Sequence, residues 1–315
     1  MQKLLQNKVA ESKLALPVTL VYAIVVWLAC GLVTHQWWLQ FGGFVLSTFL
    51  MAELNNINVL IRIYSRMVSC TFIVLSCAAC FLFPSLQHVI LQLCFIGFMV
   101  ILFLAHDKES TGVVYYAFLV LSIGSMAFVQ IIYFLPLLWI LMGTNLQILS
   151  WRTFSASLLG LLTPYWLGGC WLVWQEDFLP LVNHFRKLAD FSSLHDIMLL
   201  TSGQMGQPVR TVVFYAVLCI LTITGIIHYI RSHHGDKIRV RMLYGFFAWV
   251  AIFSLSLAIL LPWHYDALMR IAIVCTAPLL AHFIALTSTK FTNAAFIVIV
   301  CGLLLLTGYS LWTLL

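Results

Sequence analysis

Runs of about 20 mostly apolar residues, separated by short polar or aromatic stretches, repeat along the whole chain. An α-helix needs about that length to cross the hydrocarbon core of a bilayer. The pattern predicts eleven membrane-spanning helices, at 15–35, 38–60, 67–84, 86–105, 113–130, 132–150, 154–174, 210–230, 242–262, 268–289 and 293–314. The turn near Gln130 is very tight, and the count falls to ten if 113–150 is not a clean pair of helices. The expected fold is therefore an all-α polytopic transmembrane bundle, with residues 1–315 as a single integral membrane domain.

Composition and charge agree with a membrane protein of fixed orientation. Hydrophobic residues make up 63 % of the chain and charged residues only 8 %, whereas a soluble domain carries roughly 25 % charged residues. Twelve lysines and arginines fall in alternate loops and four in the others, and cytoplasmic loops carry the excess of such residues. The N-terminus is then cytoplasmic, with 1–14 as an interfacial segment, and the C-terminus lies outside. The net charge of +6 thus serves topology rather than nucleic-acid binding, and the expected location is the bacterial inner membrane.

The nine cysteines all fall inside predicted spans. Cys77 and Cys80 form a C-x-x-C pair, but no second pair of ligands lies nearby in the sequence. Free cysteine in a membrane helix behaves as a small apolar side chain, and a zinc site requires further ligands at suitable spacing. We therefore expect packing at this pair, and neither a metal nor a cofactor in the protein.

The longest segment between spans, 175–209, has helical periodicity on the outer side. Its apolar residues recur at a helical spacing: Phe178, Leu181, Val182, Phe185, Leu188 and Phe191. The polar residues of the same stretch fall elsewhere on the helical wheel. This pattern is typical of an amphipathic helix that lies in the membrane interface.

Polar side chains inside predicted spans are the main candidates for function, because hydrocarbon does not solvate them. One set lies toward the cytoplasmic side: Glu53, Asn55, Asn56, Asn58, Asn145, Gln147 and His282. These residues could line one polar cavity that opens to the cytoplasm. Alternatively, each could hold two helices together through an interhelical hydrogen bond worth about 0.6–2 kcal/mol. The sequence leaves both interpretations open, with helix association favoured.

A second candidate site lies on the outer side, near the interface. It comprises Glu176, Asp177, His264, Asp266 and Arg270. An acid and a histidine placed together could transfer protons to and from a lipid-linked substrate. Asp266 and Arg270 are also spaced to form an i,i+4 pair at the start of a helix, so helix capping within an aromatic belt is the simpler interpretation.

Small residues recur every four positions along the seventh predicted span, at Ala156, Gly160, Pro164 and Gly168. Such a stripe lets two helix backbones approach closely in a membrane. The expected role of this face is helix packing.

Three runs, NVLIRIYSRMVS, SWRTFSASLLGLLTPYW and TAPLLAHFIAL, resemble segments of a family of polytopic inner-membrane proteins of Bacteroidetes that has no established activity. The resemblance implies a location and a topology and transfers no functional residues.

Three functions remain open from the sequence. The first is a non-catalytic component of a cell-envelope assembly, with membrane lipids and envelope proteins as partners. The second is a membrane-embedded transferase acting on a lipid-linked sugar or another lipid. The third is a carrier of small solutes. Since no nucleotide-binding or nucleophile motif is present and the loops are short, the first is favoured.

Overall fold

The computed structural model of the chain describes residues 4–105, 110–176, 178–189 and 209–313. Within these ranges it contains thirteen α-helices and no β-strand, which confirms the all-α prediction. The first nine are α1 (Leu5–Glu11), α2 (Ala15–Ala29), α3 (Trp38–Asn58), α4 (Met67–Ala78), α5 (Leu86–Leu104), α6 (Thr111–Ala127), α7 (Leu135–Thr144), α8 (Trp151–Trp174) and α9 (Leu179–Arg186). The last four are α10 (Val209–Ser232), α11 (Ile238–Leu260), α12 (Tyr265–Leu286) and α13 (Lys290–Trp312).

Six stretches in the described ranges are long and apolar enough to cross a membrane, as expected for a membrane protein. They are α5, α8, α10, α11, α13, and α12 together with the short turn before it, Pro262–Leu286. α1 and α2 meet at an angle of 89° and would add a seventh if they form one bent span. The sequence predicts more spans because some apolar runs do not form long apolar helices. For example, α4 ends at Ala78, before Pro84, and α3 carries Glu53 and three asparagines in its last two turns.

α12 is the central helix of the bundle. The most apolar 18 residues of Pro262–Leu286 are entirely buried, and α12 packs against α4, α5, α10 and α11. Gly225 of α10 explains one of these close approaches, because a Cβ atom there would lie 2.8 Å from Leu279 Cβ and 3.2 Å from its carbonyl oxygen. Only glycine lets the two backbones come this near without displacement.

α6 and α8 form another close pair, which uses the small-residue stripe. Ala156, Gly160 and Pro164 are buried, and a Cβ atom on Gly160 would lie 2.4 Å from the Tyr115 carbonyl oxygen of α6. The packing interpretation of this stripe is therefore confirmed. Gly168, further along, is half-buried.

Contacts between loops define two ends of the bundle. At one end, five contacts join separate parts of the chain. Four are hydrogen bonds: Gln6 to Ile284 O, Ser65 to Ala10 O, Arg239 to Asn58, and Asn145 to Met242 O. The fifth is the ion pair between Arg62 and Asp236. At the other end, Gln40 bonds Pro84 O, Gln130 bonds His264, Tyr265 bonds Thr211 O, and Arg210 bonds Thr313. We call the first set of loops the basic end, because most described lysines and arginines lie there. The second set is the opposite end.

Candidate functional site

A fully buried acid, Asp236, lies at the basic end in the turn between α10 and α11. A short 3₁₀ turn, His233–Gly235, ends α10 and directs Asp236 into the bundle. Arg62 Nε lies 2.6 Å from Asp236 Oδ1, and His282 Nε2 of α12 lies 3.1 Å from Oδ2. The side chains of Asp236 and His282 are both completely buried. The carboxylate therefore links an interhelical turn to the central helix and to the segment after α3.

Aromatic and histidine rings enclose this Asp236–His282 pair. The His282 ring lies 4.6 Å from the Tyr244 ring and 5.1 Å from the His228 ring, between centroids. The Tyr244 hydroxyl donates to Leu60 O at 3.3 Å, and His228 is hydrogen-bonded to Ser232 at 3.2 Å. His282 Nδ1 has no hydrogen-bond partner among the described residues. These contacts fix the His282 ring between α10 and α11.

Arg62 covers the buried acid from outside. Its side chain is 43 % exposed, and its guanidinium also donates to Ser232 O. Gly235 makes this position possible, because a Cβ atom there would lie 2.1 Å from Arg62 Nη1. We name Arg62, Asp236 and His282 the Asp236 cluster.

A second buried polar contact lies beside the cluster. Arg239 Nη2 of α11 donates to Asn58 Oδ1 at 3.0 Å and to Phe103 O at 3.2 Å. The Asn58 amide in turn donates to Leu54 O at 2.9 Å. One arginine thereby joins the ends of α3, α5 and α11.

The other predicted inner residues are spread over separate contacts. Asn55 Nδ2 donates to Ser65 O at 3.1 Å, and Asn145 Nδ2 donates to Met242 O at 3.4 Å. Glu53 is half-buried, while Asn56 and Gln147 are exposed. Asn58 and His282 are both buried but have different partners, Arg239 and Asp236 respectively. A cavity shared by all seven inner residues stays a prediction.

The outer candidate residues also separate. His264 Nε2 accepts from Gln130 Nε2 at 3.1 Å. Arg270 is buried and donates to Gln92 Oε1 at 3.0 Å and to Leu82 O. Arg270 thus joins α12 to α5 and to the 3₁₀ turn Cys80–Leu82 that follows α4, and its i,i+4 pairing with half-buried Asp266 stays a prediction. Glu176 is exposed, with its backbone at φ 56°, and Asp177 lies outside the described residues.

The amphipathic segment forms a helix over part of its predicted length. α9 and the 3₁₀ turn Lys187–Ala189 follow Phe178, while Phe191 lies outside the described ranges. His184 of α9 is hydrogen-bonded to the Tyr165 hydroxyl at 3.3 Å, beside a cavity of about 170 Å³. Burial lowers the pKa of the His184 imidazole, and the charge of Lys187 acts in the same direction. Helical periodicity predicted the helix, but nothing local in the sequence indicated this contact.

Sequence reasoning missed Asp236 itself. It is the one acid in the strongly basic stretch 231–241, and the sequence predicts only that this stretch is a cytoplasmic loop that fixes the orientation of the protein in the membrane. Within the described ranges, no three His, Cys, Asp or Glu side chains come together as a metal site. Comparison of the chain with protein-family models, with curated proteins and with solved structures finds no match.

Proposed function

We propose that the protein is a non-catalytic component of a cell-envelope assembly, held in the bacterial inner membrane by eleven crossings with the N-terminus in the cytoplasm. The observation that supports this role most is the use of its buried polar groups. Asp236, Arg239 and Arg270 each bond to groups on other helices or loops. Side chains used in this way fix the positions of the helices that they join.

Loop contacts support the topology. Each loop that the positive-inside pattern assigns to the cytoplasm and that the structure describes lies at the basic end. Ten described lysines and arginines lie there: Lys8, Lys13, Arg62, Arg66, Arg152, Arg231, Lys237, Arg239, Arg241 and Lys290. Only four described ones lie at the opposite end: Arg186, Lys187, Arg210 and Arg270. This asymmetry favours a cytoplasmic basic end. α3 and α6 would then cross as less apolar or shorter helices, and α4 and α7 would cross together with the adjoining 3₁₀ turns Cys80–Leu82 and Val129–Phe134.

α8 offers the surface through which an assembly partner would bind. It packs mainly on α6, and only 17 % of its most apolar stretch is buried. Its outward side carries exposed Leu159, Leu162 and Trp166, which share one helix face. A transmembrane helix of another envelope protein could pack on this face.

The test is the size of the protein after mild extraction from its native membrane. A tagged chain should migrate as a defined complex larger than itself. Leu162→Arg should reduce that complex, because it puts a charge into the proposed interface. Val298→Arg, on the exposed side of α13, is the matched control and should leave the complex intact. Migration as a free monomer, or equal loss in both variants, would refute the proposed role of α8.

A further inference from the structure

An apolar groove of about 460 Å³ runs along the side of the bundle at the basic end. α2, α4, α12 and α13 form its walls, and α1 lies across its end. Six of its lining residues are Val18, Cys70, Val74, Leu280, Phe296 and Val300. The volume lies within the range of about 300–1,000 Å³ that is usual for small-molecule sites.

α1 is fixed over the groove by several hydrogen bonds. Gln6 Nε2 donates to Ile284 O at 2.6 Å, and the Gln6 backbone N–H donates to Asn293 Oδ1 at 3.0 Å. On the same face of α1, the Ser65 hydroxyl donates to Ala10 O at 2.7 Å. Because α12, α13 and the segment after α3 all hold α1, the groove is a preformed feature and not a gap beside a loose helix.

The mouth of the groove is continuous with the surface that would face lipid. Val18 lines the groove and is 64 % exposed, and Val21 and Val25 continue the exposed face of α2. On the other wall, Ile299 and Val300 of α13 line the groove and are half-buried. Hydrocarbon chains of lipid are therefore the molecules that meet this opening.

The charges near α1, which lies across the end of the groove, indicate the kind of lipid headgroup that would bind there. Leu5, Val9 and Ser12 line the groove, and at 3.6 residues per turn Lys8 lies about 60° from Leu5 around α1. Lys13 comes directly before Leu14 and Ala15, which also line the groove, and both lysines are exposed. The acid on α1, Glu11, lies about 120° from Leu5 by the same geometry. The rim thus presents two cations where a headgroup would lie.

We propose that this groove binds one acyl chain of an anionic phospholipid, with the phosphate held near Lys8 and Lys13. The walls supply apolar contact for the chain, and the lysines attract the headgroup. Near an anionic surface each lysine contributes about 1 kcal/mol, which corresponds to about fivefold in affinity. The preference for an anionic lipid should therefore depend on both lysines.

The experiment measures lipid retained by the full chain. The protein is reconstituted in nanodiscs of equal parts phosphatidylglycerol and phosphatidylcholine, released into detergent, and analysed by native mass spectrometry. Ala15→Phe fills the groove. Gly302→Phe is the matched control, because it fills a groove of about 440 Å³ on another side of α13, where a Cβ atom meets nothing within 4 Å.

The proposal expects one retained phosphatidylglycerol in the wild type and in Gly302→Phe, and its loss in Ala15→Phe. The Lys8→Gln, Lys13→Gln double variant should lose the preference for phosphatidylglycerol by more than tenfold, while Arg152→Gln, an exposed cation at the same end, should keep it. No retained lipid in the wild type would overturn the proposal. So would equal loss in both Phe variants, or a preference that the double lysine variant leaves unchanged. Thermal unfolding of each variant identifies any that fail to fold, and Val300→Phe then replaces Ala15→Phe.

Discussion

Replacing Arg62 with alanine should destabilise the protein more than replacing Arg66 with alanine, although both changes remove one exposed arginine from the same loop at the basic end. Arg62 Nε lies 2.6 Å from a carboxylate oxygen of Asp236, whose side chain is fully buried. Arg66 instead contacts the Tyr64 hydroxyl at 3.2 Å on the surface. Without Arg62, His282 would be the remaining side-chain partner of the Asp236 carboxylate among the described residues.

The expected cost lies between two measured limits. Removing one member of a fully buried ion pair costs about 3–5 kcal/mol, because the remaining charge is left buried. An ion pair between exposed side chains contributes about 0–1 kcal/mol. Since Asp236 is buried but Arg62 is 43 % exposed, we expect Arg62→Ala to cost about 2 kcal/mol, between these limits. Arg66→Ala should cost less than about 0.5 kcal/mol, as is usual for surface substitutions.

The assay is thermal unfolding of the purified protein in one detergent. With an unfolding entropy of about 2.1 cal/mol/K per residue, a loss of 1 kcal/mol lowers Tm by about 1.5 °C in a 315-residue chain, so Arg62→Ala should lower it by about 3 °C. In an Asp236→Asn background the same arginine substitution should cost at least about 1 kcal/mol less, because residues in one ion pair are not additive. Equal Tm values for the two arginine variants, or full additivity with Asp236→Asn, would refute the reasoning.

Two further predictions concern other contacts. Gly160→Ala should lower Tm and reduce the free energy of unfolding by about 1–3 kcal/mol or more, because the added Cβ would overlap the Tyr115 carbonyl. Gly169→Ala is the control and should leave Tm nearly unchanged, because a Cβ atom there meets nothing within 4 Å. Lowering the pH through about 6.5, the usual pKa of histidine, should weaken the docking of α9. The folded-state pKa of His184 is lowered, so its contribution to stability is present above that pH and is lost as the pH falls. Spin labels on α9 should gain mobility at pH 5 in the wild type but not in His184→Gln; the same gain in both would contradict this.

Much of the helix pattern could be predicted from the sequence, because hydrophobic run length determines where long apolar helices form. The run at 86–105 corresponds to α5 (Leu86–Leu104), and the run at 210–230 corresponds to α10 (Val209–Ser232). Predictions were less accurate where backbone geometry ends a helix within an apolar run. α3 ends at Asn58 because Val59 takes a left-handed conformation, with φ 48°. The run at 132–150 forms a 3₁₀ turn, the ten-residue α7 and a non-helical stretch that includes Gln147 at φ 55°.

The candidate site was harder to predict, because its contacts join residues far apart in sequence. His282 was identified as a polar residue in a span, but its partner Asp236 lies 46 residues away in a basic loop. Because Asp236 follows Gly235 and is flanked by charged residues, the local sequence predicts a solvent-exposed residue in a turn. Likewise, the i,i+4 spacing predicts a pair between Arg270 and Asp266, whereas the hydrogen-bond partners of Arg270, Gln92 and Leu82, come from other parts of the bundle. Periodicity identifies which face of a helix is apolar, but it does not identify the helix that packs against that face.

The odd number of crossings and the orientation of the chain are tested most directly by the locations of its two ends. A reporter that fluoresces only in the cytoplasm and an enzyme active only outside are fused in turn to the N-terminus and to the C-terminus of the full chain. Eleven crossings with a cytoplasmic basic end predict a cytoplasmic N-terminus and an external C-terminus, because an odd number of crossings separates the ends. Detection of both ends in the same compartment would contradict the account.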